Sequence, residues 1–188
     1  MILNDPFLYK NIKFKATWWV GDKETDIIKE FIKQLQNLLE KLEIPANKVF
    51  FFGSSAGGFA SLQQATCLEG STAIIDIAQT NLFKFEQQQE LNFLSTQLFG
   101  CRISELEPKF KYRFNAIERI KIENKKNKYI YSSKYGRYTS FTTTFYSIGK
   151  SFKKSKSMQI QILNLRNDSS NQRWSYSFIA TKYSRIIK

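Results

Sequence analysis

The sequence predicts an α/β fold with a parallel sheet, and three patterns along the chain support that prediction. Apolar residues recur at i, i+3 and i+4 spacing through residues 25–43, as in an amphipathic helix. The run Val49-Phe50-Phe51-Phe52 is continuously apolar, which is typical of a parallel strand buried on both faces. A helical pattern over residues 57–68 and a strand pattern over 72–77 follow. Strand and helix in alternation predict parallel strands joined by right-handed crossovers.

Further elements are predicted on either side of this unit. Residues 13–20 (KFKATWWV) have the composition of a strand. Residues 82–122 are predicted to be largely helical, with a break at Pro108. From about Asn127 the apolar periodicity fades. Residues 139–146 have strand propensity, but no core element is predicted in this last part of the chain.

Charge and composition divide the chain into two parts. Residues 1–126 contain 17 Lys and Arg and 15 Asp and Glu, a net charge of +2. Residues 127–188 contain 12 Lys and Arg and one acid, Asp168, a net charge of +11, and 17 of these 62 residues are Ser or Thr. The sequence therefore predicts a partial α/β domain over residues 1–126 and a basic tail over 127–188 that is disordered or poorly packed.

Composition also excludes several classes of protein. No apolar run approaches the roughly 18 residues of a membrane-spanning helix, and the first residues do not form a signal peptide pattern. Two cysteines, Cys67 and Cys101, are too few for a disulfide framework or a zinc site. We therefore expect a cytoplasmic protein with free thiols, no transmembrane segment, no metal site and no cofactor. The sequence does not indicate an oligomeric state.

The residues most informative about chemistry are 53–58, which read G-S-S-A-G-G between the predicted strand and helix. G-x-S-x-G in a strand–turn–helix context predicts a nucleophile elbow, in which Ser55 is the nucleophile and the Ala56 N–H stabilises an oxyanion. We expect Gly53 and Gly57 to be required because side chains there would collide with neighbouring backbone, and Gly58 to let the helix approach the sheet. The alternative is a Gly/Ser-rich turn that binds phosphate at a helix N-terminus.

The base that such a serine needs is absent. The 188 residues include no histidine, whereas the triad order of this fold requires one after the nucleophile. The carboxylates of Asp22, Asp76 and Glu123 remain, but a lone carboxylate is a weak base for serine at neutral pH. The sequence therefore predicts a nucleophile without its partner.

The chain also resembles a known family. The similarity covers about residues 1–122 and is strongest in four segments: Asn4-Asp5-Pro6, Trp19-Val20-Gly21-Asp22, residues 51–60, and Ala78-Gln79-Thr80-Asn81. These segments resemble the α/β-hydrolase-fold proteins of bacterial capsular polysaccharide biosynthesis and, more distantly, the glycan O-acetyltransferase of accessory Sec systems. The resemblance implies a three-layer sandwich, with a glycan and an acyl donor as substrates.

The resemblance also extends the set of site residues and shows two departures. It implies that Ser55 is the nucleophile and that Gln79 binds substrate, since Gln79 follows the second strand at the sheet edge where ligands bind in open α/β folds. Ordinary loop polarity is the alternative for Gln79. Members of the family carry several strands before the elbow, with the second oxyanion donor, and a histidine after it. Neither is visible in this sequence.

A shift of reading frame explains the missing histidine. Residues 171–177, N-Q-R-W-S-Y-S, can be encoded so that a reading one nucleotide later gives T-K-G-G-H-T-P. The same offset turns residues 162–170 into F-L-I-Y-E-M-I-H-Q, and it also gives histidine-bearing peptides from residues 128–135 and 135–149. The A-rich codons of the Lys/Asn run at 124–128 are a candidate slip point. On this hypothesis the tail is a frame-shifted version of the histidine-bearing half.

Two functions are therefore kept open. The first is a remnant of a serine acyltransferase or esterase-like protein of surface polysaccharide biosynthesis, inactive in this form. The second is a non-enzymatic protein whose basic, aromatic tail binds nucleic acid or an anionic glycan. Nucleic acid is the less favoured ligand, because the tail contains no RNA-binding motif.

Overall fold

The computed structural model describes residues 2–125, 127–133, 159–167 and 174–179. Five strands form one sheet in the order β1-β2-β3-β4-β5, with β1 to β4 parallel and β5 antiparallel to β4. The strands are Phe50–Ser54 (β1), Thr72–Asp76 (β2), Lys128–Ser133 (β3), Gln159–Asn167 (β4) and Trp174–Ile179 (β5). The predicted α/β class and its parallel sheet are confirmed.

Helices connect β1 to β2 and β2 to β3. The α-helices are Ile27–Lys41 (α1), Ala56–Cys67 (α2), Gln88–Phe99 (α3), Lys111–Phe114 (α4) and Ala116–Glu123 (α5). Short 3₁₀ helices are found at Pro6–Lys10, Ala46–Lys48, Leu82–Lys84, Ile103–Glu105 and Pro108–Phe110. Pro108 opens a 3₁₀ turn between α3 and α4, so the predicted break in a largely helical region is confirmed. No helix within the described ranges is both long enough and apolar enough to cross a bilayer.

Helix α1 has the amphipathic form that its sequence predicts. Ile28, Ile32 and Leu35 are buried along one face, against α2. The side chain of Asp26 caps the helix by accepting the Lys29 N–H at 3.4 Å. The helix ends four residues before Pro45, as expected for the conformational restriction that a proline imposes on the chain before it.

Strand β1 differs from the prediction in one respect. Phe51 is buried toward α2, but Phe50 and Phe52 are 60% and 72% exposed, so the apolar run is buried on one face only. Strand β1 is the edge strand of the described sheet, and α2 packs on the face that contains Phe51. A continuously apolar run does not by itself show whether both faces of a strand are covered.

Residues 13–20 do not form the predicted strand. Instead the chain turns, with Trp18 and Trp19 at φ +49° and +55°, values that are uncommon for residues other than glycine. The carboxylate of Asp5 accepts the N–H groups of Phe7 and Trp19 at 3.0 and 2.5 Å. A strand requires a neighbouring strand for its backbone groups, and here a side chain and tight turns satisfy them instead.

The start of the predicted tail belongs to the core. Strand β3 lies beside β2, in register Ala73↔Tyr129 and Ile75↔Tyr131, and both tyrosines are only 2% exposed. The side chain of Asn127 accepts the Gly70 N–H at 2.9 Å and donates to a backbone carbonyl of α2 at 3.3 Å. The expectation of no core element after Asn127 is therefore wrong for these residues. The backbones of β4 and β5 extend the sheet, whereas the predicted strand at 139–146 lies outside the described residues.

Candidate active site

Ser55 occupies the turn between β1 and α2, as predicted. Its backbone has φ +51° and ψ −120°, a conformation that costs energy for any residue with a side chain. The Ser55 N–H donates to the carbonyl of Asp76 at 3.0 Å, and the Ser55 carbonyl accepts the Phe59 N–H at 3.1 Å. Ser55 is exposed to solvent. A strained, exposed serine between a parallel strand and a helix has the geometry of a nucleophile elbow.

The three glycines around Ser55 differ in what they allow. A Cβ at Gly53 would lie 2.3 Å from the carbonyl carbon and oxygen of Gly57. A Cβ at Gly58 would lie 2.6 Å from the Ala78 Cβ and 3.1 Å from the Asp76 carbonyl. Both positions therefore need glycine for close backbone approach, as expected. The expectation for Gly57 is wrong, because a Cβ there would meet no atom within 4 Å; the backbone of Gly57 is what Gly53 approaches.

Ala56 begins α2 and presents a free backbone donor. The first N–H groups of a helix have no acceptor within it, and they carry the positive end of the helix dipole. The Ala56 N–H therefore lies beside Ser55 at the helix N-terminus and is available to an oxyanion. Its role in stabilising one remains a prediction.

The Asp76 carboxylate is hydrogen-bonded to the serine beside the predicted nucleophile. Ser54 Oγ donates to Asp76 Oδ2 at 3.0 Å, since the two residues face each other at the ends of β1 and β2. The sequence analysis did not identify Ser54. Because β1 and β2 are parallel and equally long, their last residues, Ser54 and Asp76, could have been expected to lie side by side. Asp22 pairs with Lys10, and Glu123 with lysines on the helical side. In the described residues, none of the three carboxylates considered as bases is hydrogen-bonded to the Ser55 hydroxyl.

Gln79 lies in the loop after β2, at the same end of the sheet as Ser55. The loop turns sharply at Ile77, which has φ +44°. Gln79 is half-buried, and its Oε1 accepts a long hydrogen bond of 3.5 Å from Trp18 Nε1. The Trp18 ring packs edge-to-face on Phe85 at 5.7 Å. Gln79 is therefore placed near the site by the amino-terminal turn, and its proposed contact with substrate is untested.

The loop has a second anchor that sequence analysis missed. The hydroxyl of Tyr131 accepts the Ala78 N–H at 2.9 Å and donates to the Ala78 carbonyl at 2.5 Å. Burial is the main reason that the pKa of the Tyr131 phenol is raised well above its usual range. The hydroxyl therefore keeps its proton and can donate at any physiological pH. No local pattern in the sequence relates Tyr131 to Ala78, because 53 residues separate them.

A buried ionic cluster lies on the helical side of the sheet. Arg119 Nη2 donates to both carboxylate oxygens of Asp26 at 3.1 Å, and its Nη1 donates to Cys67 Sγ at 3.3 Å. The Tyr112 hydroxyl donates to Asp26 at 3.0 Å. Burial alone would raise the pKa of Asp26, but the charge and hydrogen bonds of Arg119 hold it below its usual value. The cluster joins α1, α2 and α5 and so supports the helix that follows Ser55.

No group of three or more Cys, Asp or Glu side chains that could hold a metal ion is found within the described ranges. The contacts around Ser55 are instead hydrogen bonds to Asp76 and Phe59 and the close approach of Gly58 to Ala78. The arrangement offers a hydroxyl, backbone donors and a helix N-terminus. That set suits chemistry at a carbonyl or acyl group.

No protein-family model and no curated protein matches the sequence. Several solved structures, however, match its fold. The glycosylation-associated protein complex (Gap123) of Streptococcus agalactiae aligns with a TM-score of 0.50 and 16% identity, over 80% of this chain and 30% of that one. The capsule O-acetyltransferase of Neisseria meningitidis serogroup A, in complex with CoA, aligns with a TM-score of 0.50 and 12% identity, over 81% and 62%. The serine hydrolase FphF of Staphylococcus aureus aligns with a TM-score of 0.47 and 14% identity, over 74% and 56%.

These likenesses concern the fold, since every identity is below one fifth. The chain spans 30% to 62% of the length of these three structures. In this chain, the parallel strands, the strained serine after β1 and the helix that follows it are the strand–turn–helix arrangement of a nucleophile elbow. The chain has an α/β-hydrolase-like fold.

Proposed function

We propose that this chain is the remnant of a serine acyltransferase or esterase-like protein of surface polysaccharide biosynthesis, with Ser55 at the nucleophile position. The observation that supports it most is the backbone of Ser55, which is exposed and strained at the end of a parallel strand. Such strain persists where the surrounding structure enforces it, and it is concentrated at functional sites.

A surface glycan is the acceptor that the likenesses favour. One matched structure is a capsule O-acetyltransferase and another is a glycosylation-associated complex. The four segments that resemble capsular polysaccharide proteins include both the elbow and Gln79. In the reaction that we propose for the intact family, the serine hydroxyl attacks the carbonyl of an acyl donor while a histidine accepts its proton, and the Ala56 N–H stabilises the oxyanion. Collapse of the oxyanion breaks the bond to the donor's leaving group, which takes the proton from the histidine, and leaves an acyl-serine. A glycan hydroxyl, or water in hydrolysis, then attacks the acyl-serine and releases the serine hydroxyl.

The chain is expected to be inactive as it stands. Attack by serine requires a base that accepts its proton, and the sequence contains no histidine. The Asp76 carboxylate accepts the Ser54 hydroxyl, and in the described residues it makes no hydrogen bond to the Ser55 hydroxyl. We therefore propose that the nucleophile turn is retained while the base is lost.

Enzyme assays test the proposed loss of activity. We expect no hydrolysis of p-nitrophenyl acetate by the purified chain above a Ser55→Ala control. Imidazole added as an external base is expected to produce acetylation at Ser55, detected as a mass increase on the peptide that contains it. Strong Ser55-dependent turnover without imidazole would mean that another residue acts as base. No acetylation of Ser55 even with imidazole would contradict the assignment of the nucleophile.

A shifted reading frame is the proposed origin of the loss. The nucleotide sequence tests it directly. The frame one nucleotide later should be open from about codon 128 and should encode H-Q-x-x-G-G-H near the codons for residues 169–175. Stop codons within that frame would refute the frameshift. The burial of Tyr129 and Tyr131 would then be the product of selection on this frame.

The alternative function is binding by the basic part of the chain. The net charge of +11 over residues 127–188 favours it. Salt-sensitive binding to single-stranded RNA with a clear sequence or structural preference would support this alternative. Equal binding to RNA, heparin and other polyanions would indicate general attraction by charge alone.

A further inference from the structure

Tyr131 satisfies both backbone polar atoms of Ala78. Its hydroxyl accepts the Ala78 N–H at 2.9 Å and donates to the Ala78 carbonyl at 2.5 Å. Ala78 is fully buried and Tyr131 is nearly so. Buried backbone groups need partners, and here one phenol from β3 provides both.

Ala78 in turn lies against the Ser55 turn. The Ala78 Cβ is so close to Gly58 that a side chain at Gly58 would collide with it at 2.6 Å. Two residues earlier, the Asp76 carbonyl accepts the Ser55 N–H at 3.0 Å. The residue that follows Ala78 is Gln79. Residues 76–79 are therefore packed along the elbow, and Tyr131 holds the middle of this segment.

We propose that Tyr131 is a positioning residue for the Ser55 site, acting through Ala78 to fix the spacing between the nucleophile turn and Gln79. The inference rests on the proposed function, because the spacing matters for a nucleophile and a substrate contact. It concerns the contacts that Tyr131 makes in the chain as it stands, so it does not depend on whether the reading frame shifted before β3. Tyr131 touches neither acyl donor nor acceptor in this proposal.

The same strand provides a matched control. Tyr129 is two residues earlier on β3, equally buried, and its hydroxyl is bonded to Thr66 Oγ1 at 3.1 Å near the far end of α2. Tyr129→Phe and Tyr131→Phe each remove one phenol hydroxyl from one face of one strand. Only the second removes the bonds to Ala78.

The first measurement is hydrogen exchange followed by NMR in the full-length chain. We expect Tyr131→Phe to speed exchange of the amides at 56–58 and 78–80 by about tenfold or more relative to Tyr129→Phe, at matched global stability. The Trp18 indole signal, identified with Trp18→Phe, should shift in Tyr131→Phe alone because its acceptor is Gln79. Equal exchange and an unmoved indole signal would overturn the proposal.

The second measurement is acetylation of Ser55 by p-nitrophenyl acetate with imidazole. We expect about tenfold slower acetylation in Tyr131→Phe and a wild-type rate in Tyr129→Phe. If Ser55 is not acetylated in the wild type, the proposed function fails, while a selective change in exchange still supports the anchoring of the loop. If Ser55 is acetylated at one rate in all three proteins, the proposed function stands and the role of Tyr131 is refuted.

A measurement on the wild type covers the case in which Tyr131→Phe does not fold. The Tyr131 hydroxyl proton should exchange slowly and show a nuclear Overhauser effect to the Ala78 amide. A rapidly exchanging hydroxyl without that effect would overturn the proposal.

Discussion

The two glycines of the G-x-S-x-G motif should respond to alanine with opposite signs. Gly53→Ala places a Cβ 2.3 Å from the carbonyl carbon and oxygen of Gly57 and 2.8 Å from Ser61 Oγ. The first two distances are more than about 1 Å inside ordinary van der Waals contact. Because the atoms are backbone, they can move only by separating β1 from α2. We expect a loss of about 3 kcal/mol in the free energy of unfolding, the upper part of the usual range for overpacking.

Gly57→Ala is the matched control, since it adds the same methyl group two residues into α2. A Cβ there meets no atom within 4 Å. Alanine in a helix is favoured over glycine by up to about 1 kcal/mol, so this variant should equal or exceed the wild type in stability. The two variants should therefore differ by about 3–4 kcal/mol.

Urea unfolding of the full chain, followed by circular dichroism, measures the difference. The free energy of unfolding of a small protein typically falls by about 1–3 kcal/mol per molar urea. The urea midpoints of Gly53→Ala and Gly57→Ala should therefore be separated by about 1 M or more. Equal midpoints would show that β1 and α2 do not approach as closely as described. A Gly57→Ala variant less stable than Gly53→Ala would refute the reasoning entirely.

Three further predictions concern strain, charge and the start of β3. Ser55→Gly should raise the free energy of unfolding by about 1 kcal/mol because it relieves a left-handed backbone, whereas Ser55→Ala should not; equal urea midpoints would contradict this. The pKa of Asp26 is lower in the folded chain than in the unfolded one, so its contribution to stability is present above about pH 4 and is lost as the pH falls through the folded value. Urea midpoints between pH 2 and 6 should therefore fall less steeply in Asp26→Asn than in the wild type, and parallel curves would rule out this assignment. Asn127→Ala removes the hydrogen bond to the buried Thr66 carbonyl and the one from the Gly70 N–H, and it should cost about 2 kcal/mol in thermal or urea unfolding; no loss would indicate that β3 does not dock as described.

The features that the sequence predicted well are the local ones. Helix α1 follows from its apolar spacing, and the Ser55 turn follows from glycines placed between a strand and a helix. The predictions that failed concern contacts between residues that are far apart in the chain. The strand predicted at 13–20 needed a neighbouring strand that no local pattern could show to be absent. The contact of Tyr131 with Ala78 joins residues far apart in the chain, and the exposure of Phe52 depends on which side of β1 is occupied.

Strand β1 has a consequence for the handling of this protein. No described strand pairs with its outer edge, and the strand contains the exposed Phe50 and Phe52 but no lysine or proline. Soluble proteins ordinarily protect such edges with charge, bulges or a covering segment, because an uncovered edge templates intermolecular pairing. Precipitation at high protein concentration would then begin at β1, the strand that directly precedes Ser55. Pairing of β1 with another molecule would reduce the solubility of the protein and the accessibility of Ser55 together.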